Sequence, residues 1–192
     1  LLGTPHIVPH TCNHDNTACT IYARTKTAAD QLFLLANIPA VSLLLAKYAR
    51  PRLAIGPIPT FYKRLLAGQK CFCSDAVRDF LDMADFLALI DLVVFEDAPN
   101  GTFNVSTGEG HSIKEIFDEV ADFLGIIPSE PIQIVPVAAD DVPEVVLDPS
   151  LTELMLGWKS KVGFKQTILR QLDWYKLHGV SDVHSHLSAP KT

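Results

Sequence analysis

Tyr22 and Lys26 are the two side chains whose types and spacing are best suited to chemistry. They stand four residues apart in the run IYARTK, at residues 21–26. Positions i and i+4 of a helix project from one face. A nearby ammonium favours the phenolate and lowers the pKa of a tyrosine, which makes the phenol a usable acid or base near neutral pH. The alternative, on these residues alone, is a solvent-facing tyrosine on an amphipathic helix.

Arg78 is a second candidate, because it follows a strand-like stretch and has little other basic charge nearby. A guanidinium binds the oxygens of a diphosphate in a bidentate manner, which a lysine ammonium does not. The same residue type at the same place would also form a salt bridge with a neighbouring carboxylate. Asp75, Asp79 and Asp82 are the carboxylates within reach in sequence.

The histidines of this sequence could coordinate zinc but do not form a convincing ligand set. His6, His10 and His14 recur every four residues, and His184 and His186 stand two residues apart. Prolines in the first group oppose the helix that would align its members. Side chains in surface loops therefore explain these histidines better, and we predict no metal site.

Composition excludes several classes of protein. The chain has 192 residues, a net charge of −6 and a pI of about 5.6, which argues against a nucleic-acid partner. No apolar run reaches the roughly 18 residues of a membrane span, and nothing indicates export. The four cysteines lack a Cys-x-x-Cys spacing. We interpret them as reduced thiols of a cytoplasmic protein.

Strand and helix patterns alternate along the chain, which predicts an α/β class. The predicted helices cover residues 17–36, 60–67, 82–95, 113–124, 149–156 and 164–178, and the predicted strands cover residues 40–46, 70–74, 78–81, 102–106, 132–137 and 145–147. Ser112 and Glu115 have the spacing of a capping box, and Gly125 marks the end of the helix that they begin. Ile58 lies in a glycine–proline loop at residues 55–59, and Thr60 and Phe61 follow that loop. Asn104 is expected to form a turn, and both tryptophans are expected in the core.

Several segments together resemble one family, in the same order along the chain. These segments are YARTK at 22–26, the core strand and loop at 40–51, VRDFLDMAD at 77–85, FNVSTGEG at 103–110, and the stretch from DPS at 148–150 to LGW at 156–158. The chain resembles the C-terminal part of an extended short-chain dehydrogenase/reductase of the nucleotide-sugar epimerase/dehydratase group. It is similar in particular to the epimerases of bacterial lipopolysaccharide O-antigen synthesis.

The resemblance implies an architecture. Residues 1–56 would be a remnant of a Rossmann-like dinucleotide-binding domain, with the catalytic helix and one or two core parallel strands. Residues 57–180 would be mainly a small α/β subdomain that binds the nucleotide sugar, and residues 181–192 a polar tail. The glycine-rich dinucleotide turn of the family has no counterpart in this sequence, so the resemblance implies that the N-terminal NAD-binding half is missing.

The resemblance also implies roles for individual residues. Tyr22 and Lys26 would be catalytic and would contact NAD. The remaining implied site residues are Lys47, for cofactor and substrate, and Ile58, Phe61, Arg78 and Asp141, for the nucleotide sugar. As alternatives, Ile58 and Phe61 are also explained as packing residues. For Asp141 the match to the family is partial, because Ala138 stands where the family has an arginine.

The implied function is NAD-dependent modification of a nucleotide sugar, most simply 4-epimerisation of a UDP-sugar through a 4-keto intermediate, with 4,6-dehydration as a variant. Leu44, Lys47 and Arg50 replace the family's arginine, asparagine and glycine. An inactive fragment or nucleotide-sugar-binding module is therefore the alternative, and whether the chain is an enzyme stays open. Apolar faces of the first helix and strand would be exposed, which predicts a homodimer or other self-association.

Overall fold

The structure, a computed structural model, describes residues 21–35, 39–96, 98–138 and 141–180. The described helices are α1 (Ile21–Leu35), α2 (Pro57–Leu66), α3 (Met83–Phe95), α4 (Ile113–Leu124), α5 (Ser150–Leu156) and α6 (Phe164–His178). The described strands are β1 (Val41–Leu45), β2 (Lys47–Ala49), β3 (Phe72–Ser74), β4 (Val77–Arg78), β5 (Phe80–Asp82), β6 (Gly101–Val105), β7 (His111–Ser112), β8 (Gln133–Val135) and β9 (Glu144–Val145). The parallel strands and interspersed helices confirm the predicted α/β class.

The chain divides into two compact units, each made of discontinuous stretches. The first unit holds the described residues up to Tyr48 with Arg78–Gly110 and Glu144–Lys161. The second unit holds Ala49–Val77, His111–Pro143 and the described residues from Val162 onwards. Strands and helices far apart in sequence therefore pack into the same unit.

The first unit is built on the parallel pair of β1 and β6. Val41 aligns with Gly101 and Leu45 with Val105, so the two strands match over their whole length. Helix α5 packs against β6, and α3 packs against β5. The buried residues of its core are Leu81, Leu89, Phe103, Val105, Leu156 and Trp158.

Polar groups fix α3 within this unit. The Asp82 carboxylate accepts a hydrogen bond from Ala84 N at 2.8 Å and thereby caps the helix. Trp158 Nε1 donates to the carbonyl oxygen of Asp85 at 3.0 Å, and the Asp85 carboxylate accepts from Lys161 N at 2.9 Å. Trp158 is buried, as predicted, and its N–H is satisfied there.

The second unit packs α2, α4 and α6 against one another and places β3 beside α4. Strand β3 pairs with β8 in parallel, with Cys73 aligned to Ile134. The rings of Phe61 and Phe117 meet edge to face with centroids 5.4 Å apart. The buried apolar residues of the three helices are Ile58, Phe61, Tyr62, Ile113, Ile116, Phe117, Val120, Ala121, Ile168, Leu172 and Tyr175.

The capping box of α4 is confirmed. Ser112 Oγ accepts from Glu115 N at 3.2 Å, and the Glu115 carboxylate accepts from Ser112 N at 2.7 Å. Gly125 ends the helix in the left-handed conformation with φ 65°. Local side-chain chemistry thus determines both ends of this helix, as the sequence predicts.

Other predicted boundaries need correction. Helix α2 begins at Pro57 rather than at residue 60, because prolines are compatible with the first helical turn, where the amide N–H has no helical acceptor. Ile58, predicted in the preceding loop, consequently lies in the helix, and Phe61 lies in the helix as predicted. Asn104 is not a turn residue: it is buried within β6, and its Nδ2 donates to the carbonyl oxygen of Asp148 at 2.9 Å. Trp174 is only half-buried.

The predictions for the histidines and for the cysteines concern residues that lie partly or wholly outside the described part of the chain. His6, His10, His14, His184, His186, Cys12 and Cys19 lie there. Cys71 and Cys73 are described and are free thiols. Across the ranges that the structure describes, no helix is long and apolar enough to cross a membrane.

Candidate active site

Helix α1 carries Tyr22 and Lys26. Tyr22 is its second residue and Lys26 lies one turn later, so the predicted i, i+4 arrangement holds for the backbone. The Lys26 side chain is exposed, and the side chain of Tyr22 lies outside the described part. The geometry of the helix therefore permits the phenol–ammonium chemistry, and the catalytic role of the pair stays a prediction.

Lys47 and Arg78 lie on neighbouring segments of the first unit. The Lys47 backbone N–H donates to the carbonyl oxygen of Asp79 at 3.0 Å, which places β2 beside the junction of β4 and β5. The Lys47 side chain is exposed and Arg78 is only 6% exposed. The backbone of Lys47 therefore lies beside Asp79, the residue that follows Arg78, while β2 pairs with β5 rather than with the strand of Arg78.

Asp79 is a residue that the sequence reasoning missed as part of this site. It is 1% exposed, and its two carboxylate oxygens accept from Thr107 N, both at 3.1 Å. Thr107 Oγ1 donates to it at 2.8 Å and Gly108 N at 2.9 Å. Charge-assisted bonds of this kind are strong. Asp79 therefore fixes the glycine turn after β6 next to the backbone that carries Arg78.

Gly108 is required in that turn. Its φ is 79°, a region that side chains with a Cβ rarely occupy, and a Cβ there would come within 3.2 Å of Pro149 Cδ. The turn thus packs tightly on the segment that leads into α5. Only the tertiary packing reveals this contact, since Gly108 and Pro149 are far apart in the sequence.

Ile58 and Phe61 lie on the buried face of α2 in the second unit. Their exposed fractions are 2% and 1%, and Phe61 contacts the ring of Phe117. This environment is that of packing residues, one of the alternatives given by the sequence. A role in holding a nucleotide stays a prediction for both.

Asp141 lies elsewhere in the second unit. It is exposed, its Oδ1 accepts from Val142 N at 2.8 Å, and its own N–H donates to Ala138 O at 2.9 Å. The carboxylate is therefore engaged in a local turn, and contact with a ribose stays a prediction.

The segment after β2 contains a backbone conformation of note. Among the described residues, Arg52 is the only non-glycine residue with a positive φ, at 67°. Such a conformation costs about 1–3 kcal/mol and persists only where the surroundings impose it. The sequence offers no signal for it beyond the Arg50-Pro51-Arg52 run.

Comparison with known proteins gives one consistent result. The profile of the GDP-mannose 4,6 dehydratase family matches residues 1–171. The chain is 25% identical over 185 residues to a putative UDP-glucose 4-epimerase of Methanocaldococcus jannaschii, which covers 91% of this chain and 59% of that protein.

Solved structures give a closer similarity. The chain is 59% identical, with a TM-score of 0.91, to the Bordetella bronchiseptica enzyme WbmG in complex with NAD and UDP, over 98% of this chain and 61% of that one. It is 30% identical, with a TM-score of 0.80, to the enzyme WbmH of the same organism in complex with NAD+, over 92% and 59%. The chain thus spans about three fifths of the length of these proteins.

Proposed function

Because the chain belongs to the GDP-mannose 4,6 dehydratase family, within the extended short-chain dehydrogenases/reductases, we propose that it is part of an NAD-dependent nucleotide-sugar epimerase or dehydratase. The simplest reaction of this class is interconversion of UDP-sugars at C4. The observation that carries the proposal is the 59% identity over 98% of the chain to an enzyme crystallised with NAD and UDP. Since the chain spans 61% of the length of that enzyme, the activity, the substrate and the partners of this protein are all part of what we propose.

In this proposal Tyr22 moves the proton. Its phenolate takes the proton from the sugar 4-hydroxyl as the carbon is oxidised to a ketone, and it returns the proton when the ketone is reduced. Lys26, one helical turn away, stabilises the phenolate by its positive charge. A phenol and an ammonium in this arrangement also suit the hydroxyls of a nicotinamide ribose, so both residues would hold NAD. NAD, when bound, supplies a hydride acceptor and donor.

The cations of the first unit would bind the phosphates. Arg78, whose next residue Asp79 accepts the backbone N–H of Lys47, would hold the diphosphate of UDP through a bidentate pair of N–H donors. Lys47 would contribute a second positive charge, to cofactor or substrate. Ile58, Phe61 and Asp141 would contribute to the nucleotide pocket, Asp141 by accepting a hydrogen bond from the ribose.

The first test is UDP binding, measured by calorimetry on the purified chain. We expect Arg78→Lys to weaken UDP binding by about tenfold or more, since loss of a bidentate charge-assisted contact costs roughly 1.5–3 kcal/mol. Arg170→Lys, at an exposed position on α6, is the matched control and should leave the affinity unchanged. Equal UDP affinity for the wild-type and Arg78→Lys proteins would remove the phosphate role.

The second test is turnover. In the presence of NAD and a UDP-sugar, Tyr22→Phe should lower the rate of 4-epimer interconversion at least a hundredfold, because general acid–base catalysis contributes 10²–10⁴-fold. Tyr62→Phe removes a phenol from α2 instead and should retain the rate. Interconversion that survives Tyr22→Phe would refute the catalytic assignment.

A second candidate function is nucleotide-sugar binding without turnover. Leu44, Lys47 and Arg50 favour it, because they differ in size and charge from the arginine, asparagine and glycine of the family resemblance. In that case the chain binds UDP in an Arg78-dependent manner and shows no interconversion with NAD. The two tests together distinguish the candidates.

A further inference from the structure

Helix α6 of the second unit carries four side chains on the face beside the turn formed by residues 50–53, and three of them contact Arg52 or Leu53. These side chains are Gln171, Trp174, Tyr175 and His178, which recur at i, i+3, i+4 and i+7 and so share one face of the helix. The turn itself is closed by a hydrogen bond from Leu53 N to Arg50 O at 3.3 Å.

The two buried side chains of this face both donate hydrogen bonds to a single carbonyl oxygen. Tyr175 OH donates to Leu53 O, and Gln171 Nε2 donates to the same oxygen at 3.3 Å and also to the Tyr175 oxygen. A carbonyl has two lone pairs and a primary amide has two N–H donors, so this network uses the donors fully. Gln171 is 0% exposed and Tyr175 is 1% exposed, which shields the bonds from water.

The network leaves one buried polar atom without a hydrogen bond, a free-energy cost that apolar side chains at these positions would avoid. Since the single hydroxyl proton of Tyr175 goes to Leu53, Gln171 must present its amide N–H₂ to Tyr175, and its Oε1 is left buried with no hydrogen-bond partner in the described part of the chain. Burial raises the pKa of Tyr175 to about 12, so the hydroxyl keeps its proton and remains a donor at neutral pH.

The more exposed part of the face contacts the strained residue. The Arg52 guanidinium lies over the Trp174 ring with its carbon 5.3 Å from the centroid, and the His178 ring lies 3.8 Å from the same tryptophan. Arg52 is the residue with φ 67°. Helix α6 therefore holds both the carbonyl of Leu53 and the side chain of Arg52, which is what keeps this conformation populated.

We infer that Gln171 and Tyr175 are positioning residues that lock the turn at residues 50–53 into the conformation used for nucleotide-sugar binding. The inference rests on the proposed function for the identity of the ligand. Strained backbone held by buried polar groups is characteristic of ligand clamps. The turn presents the exposed Arg50 and Arg52 on either side of Pro51, so its conformation determines where two cations stand.

The experiment uses the purified chain and trypsin. Because the Arg50–Pro51 bond resists trypsin, cleavage between Arg52 and Leu53, followed by mass spectrometry, reports opening of the turn. We expect Tyr175→Phe to accelerate this cleavage about fivefold, the equivalent of one hydrogen bond of about 1 kcal/mol. Tyr62→Phe is the matched control: its ring packs 5.3 Å from that of Tyr175, yet its hydroxyl takes no part in the bonds to Leu53. Its cleavage rate should stay within twofold of wild type.

Gln171→Leu distinguishes an effect on the conformation of the turn from an effect on the free energy of unfolding of the protein. It removes the donor to Leu53 but also the buried oxygen without a partner, so the urea midpoint of unfolding should change little while cleavage at Arg52 accelerates. Both Gln171→Leu and Tyr175→Phe should also weaken UDP binding at least threefold by calorimetry, and Tyr62→Phe should not. UDP should slow the cleavage of the wild-type protein.

Different experimental results would overturn different parts of the inference. Unchanged cleavage at Arg52 in both variants, or equal acceleration in Tyr62→Phe, would overturn the clamp. Accelerated cleavage with unchanged UDP affinity would overturn its role in binding and leave a structural contact. Absence of UDP binding to the wild-type protein would instead refute the proposed function, and the cleavage rates would still decide whether α6 locks the turn.

Discussion

At the scale of the residue, Asp79 is a buried carboxylate whose hydrogen bonds hold a backbone turn beside the proposed phosphate-binding residue. Its oxygens accept hydrogen bonds from the Thr107 N–H and hydroxyl and from the Gly108 N–H. The adjacent backbone carries Arg78. Asp79 therefore couples the position of the proposed phosphate-binding residue to the glycine turn after β6.

We predict that Asp79→Asn lowers the free energy of unfolding by about 2 kcal/mol. The amide retains one acceptor oxygen but turns an N–H₂ group towards backbone N–H donors, and bonds to a charged acceptor are worth about 1.5–3 kcal/mol. Urea unfolding measures the change. Asp91→Asn, at an exposed position on α3, is the control and should alter the value by less than about 0.5 kcal/mol. A loss at Asp79 no larger than that of the control would contradict the assignment.

Cys73 is a buried titratable group with a consequence for stability at high pH. Burial raises the pKa of its thiol from the ordinary value of 9.0 to about 12, with smaller contributions from Asp118 and Cys71. Its Sγ lies 3.7 Å from the carbonyl oxygen of Ile113. Between these two pKa values the unfolded chain has lost the proton and the folded chain retains it.

The free energy of unfolding should therefore fall as pH rises from about 9 to 12, because the folded state binds more protons there. Tyr175, with a pKa raised to about 12, acts in the same direction. Urea unfolding at pH 8 and pH 10 measures the slope. Cys73→Ala should reduce the slope and Ser74→Ala, which removes a hydroxyl from the same strand, should not. A slope that Cys73→Ala leaves intact would show that the thiol does not titrate as described.

At the scale of the element, α4 is the helix whose ends are most fully determined by local interactions. It presents Ile113, Ile116, Phe117, Val120 and Ala121 to the core of the second unit. Ser112 and Glu115 satisfy its first amide groups, and Gly125 ends it. The apolar periodicity and the capping signals thus agree.

We expect Ser112→Ala to destabilise the protein by about 1 kcal/mol, within the range known for loss of an N-cap. The readout is the midpoint of urea unfolding. Ser129→Ala provides the comparison, since this serine lies exposed in the connection between α4 and β8. Equal effects of the two substitutions would mean that the capping box contributes nothing measurable.

At the scale of the whole molecule, the first unit leaves large apolar side chains exposed. On α1 the exposed fractions are 70% for Leu32, 62% for Phe33 and 81% for Leu35, and on α3 they are 64% for Val94 and 81% for Phe95. Exposed apolar surface of this kind is characteristic of surfaces that bind another protein or a second copy. The predicted homodimer is consistent with this surface and stays a proposal.

We predict that the purified chain self-associates in a concentration-dependent manner, as measured by light scattering. Replacing Leu32 and Phe33 together by lysine should shift the population to the monomer, because charge on that helix face opposes burial against a partner. Leu154→Lys, at a 79% exposed position on α5, should not. Monomeric behaviour of the wild-type chain at high concentration would contradict the prediction.

Much of the fold was accessible from the sequence because it depends on short-range interactions. The bounds of α4 and α6 and the spacing of Tyr22 and Lys26 follow from helical periodicity and from side chains bonding to nearby backbone. The predictions that needed correction concern residues whose environment depends on tertiary packing. The polar side chain of Asn104 suggested a turn. Asn104 instead lies in the buried part of β6, and its side-chain N–H donates to the carbonyl oxygen of Asp148.

The sequence by itself determined the α/β class, the family and the candidate residues Tyr22, Lys26 and Arg78, because motifs and periodicity are local properties of a chain. Only the tertiary structure decided which distant groups meet: Lys47 with Asp79, Asp79 with Thr107, and Gln171 and Tyr175 with Leu53, 118 and 122 residues away. The physical reason is that such contacts depend on how complete elements pack, and no local pattern specifies that packing.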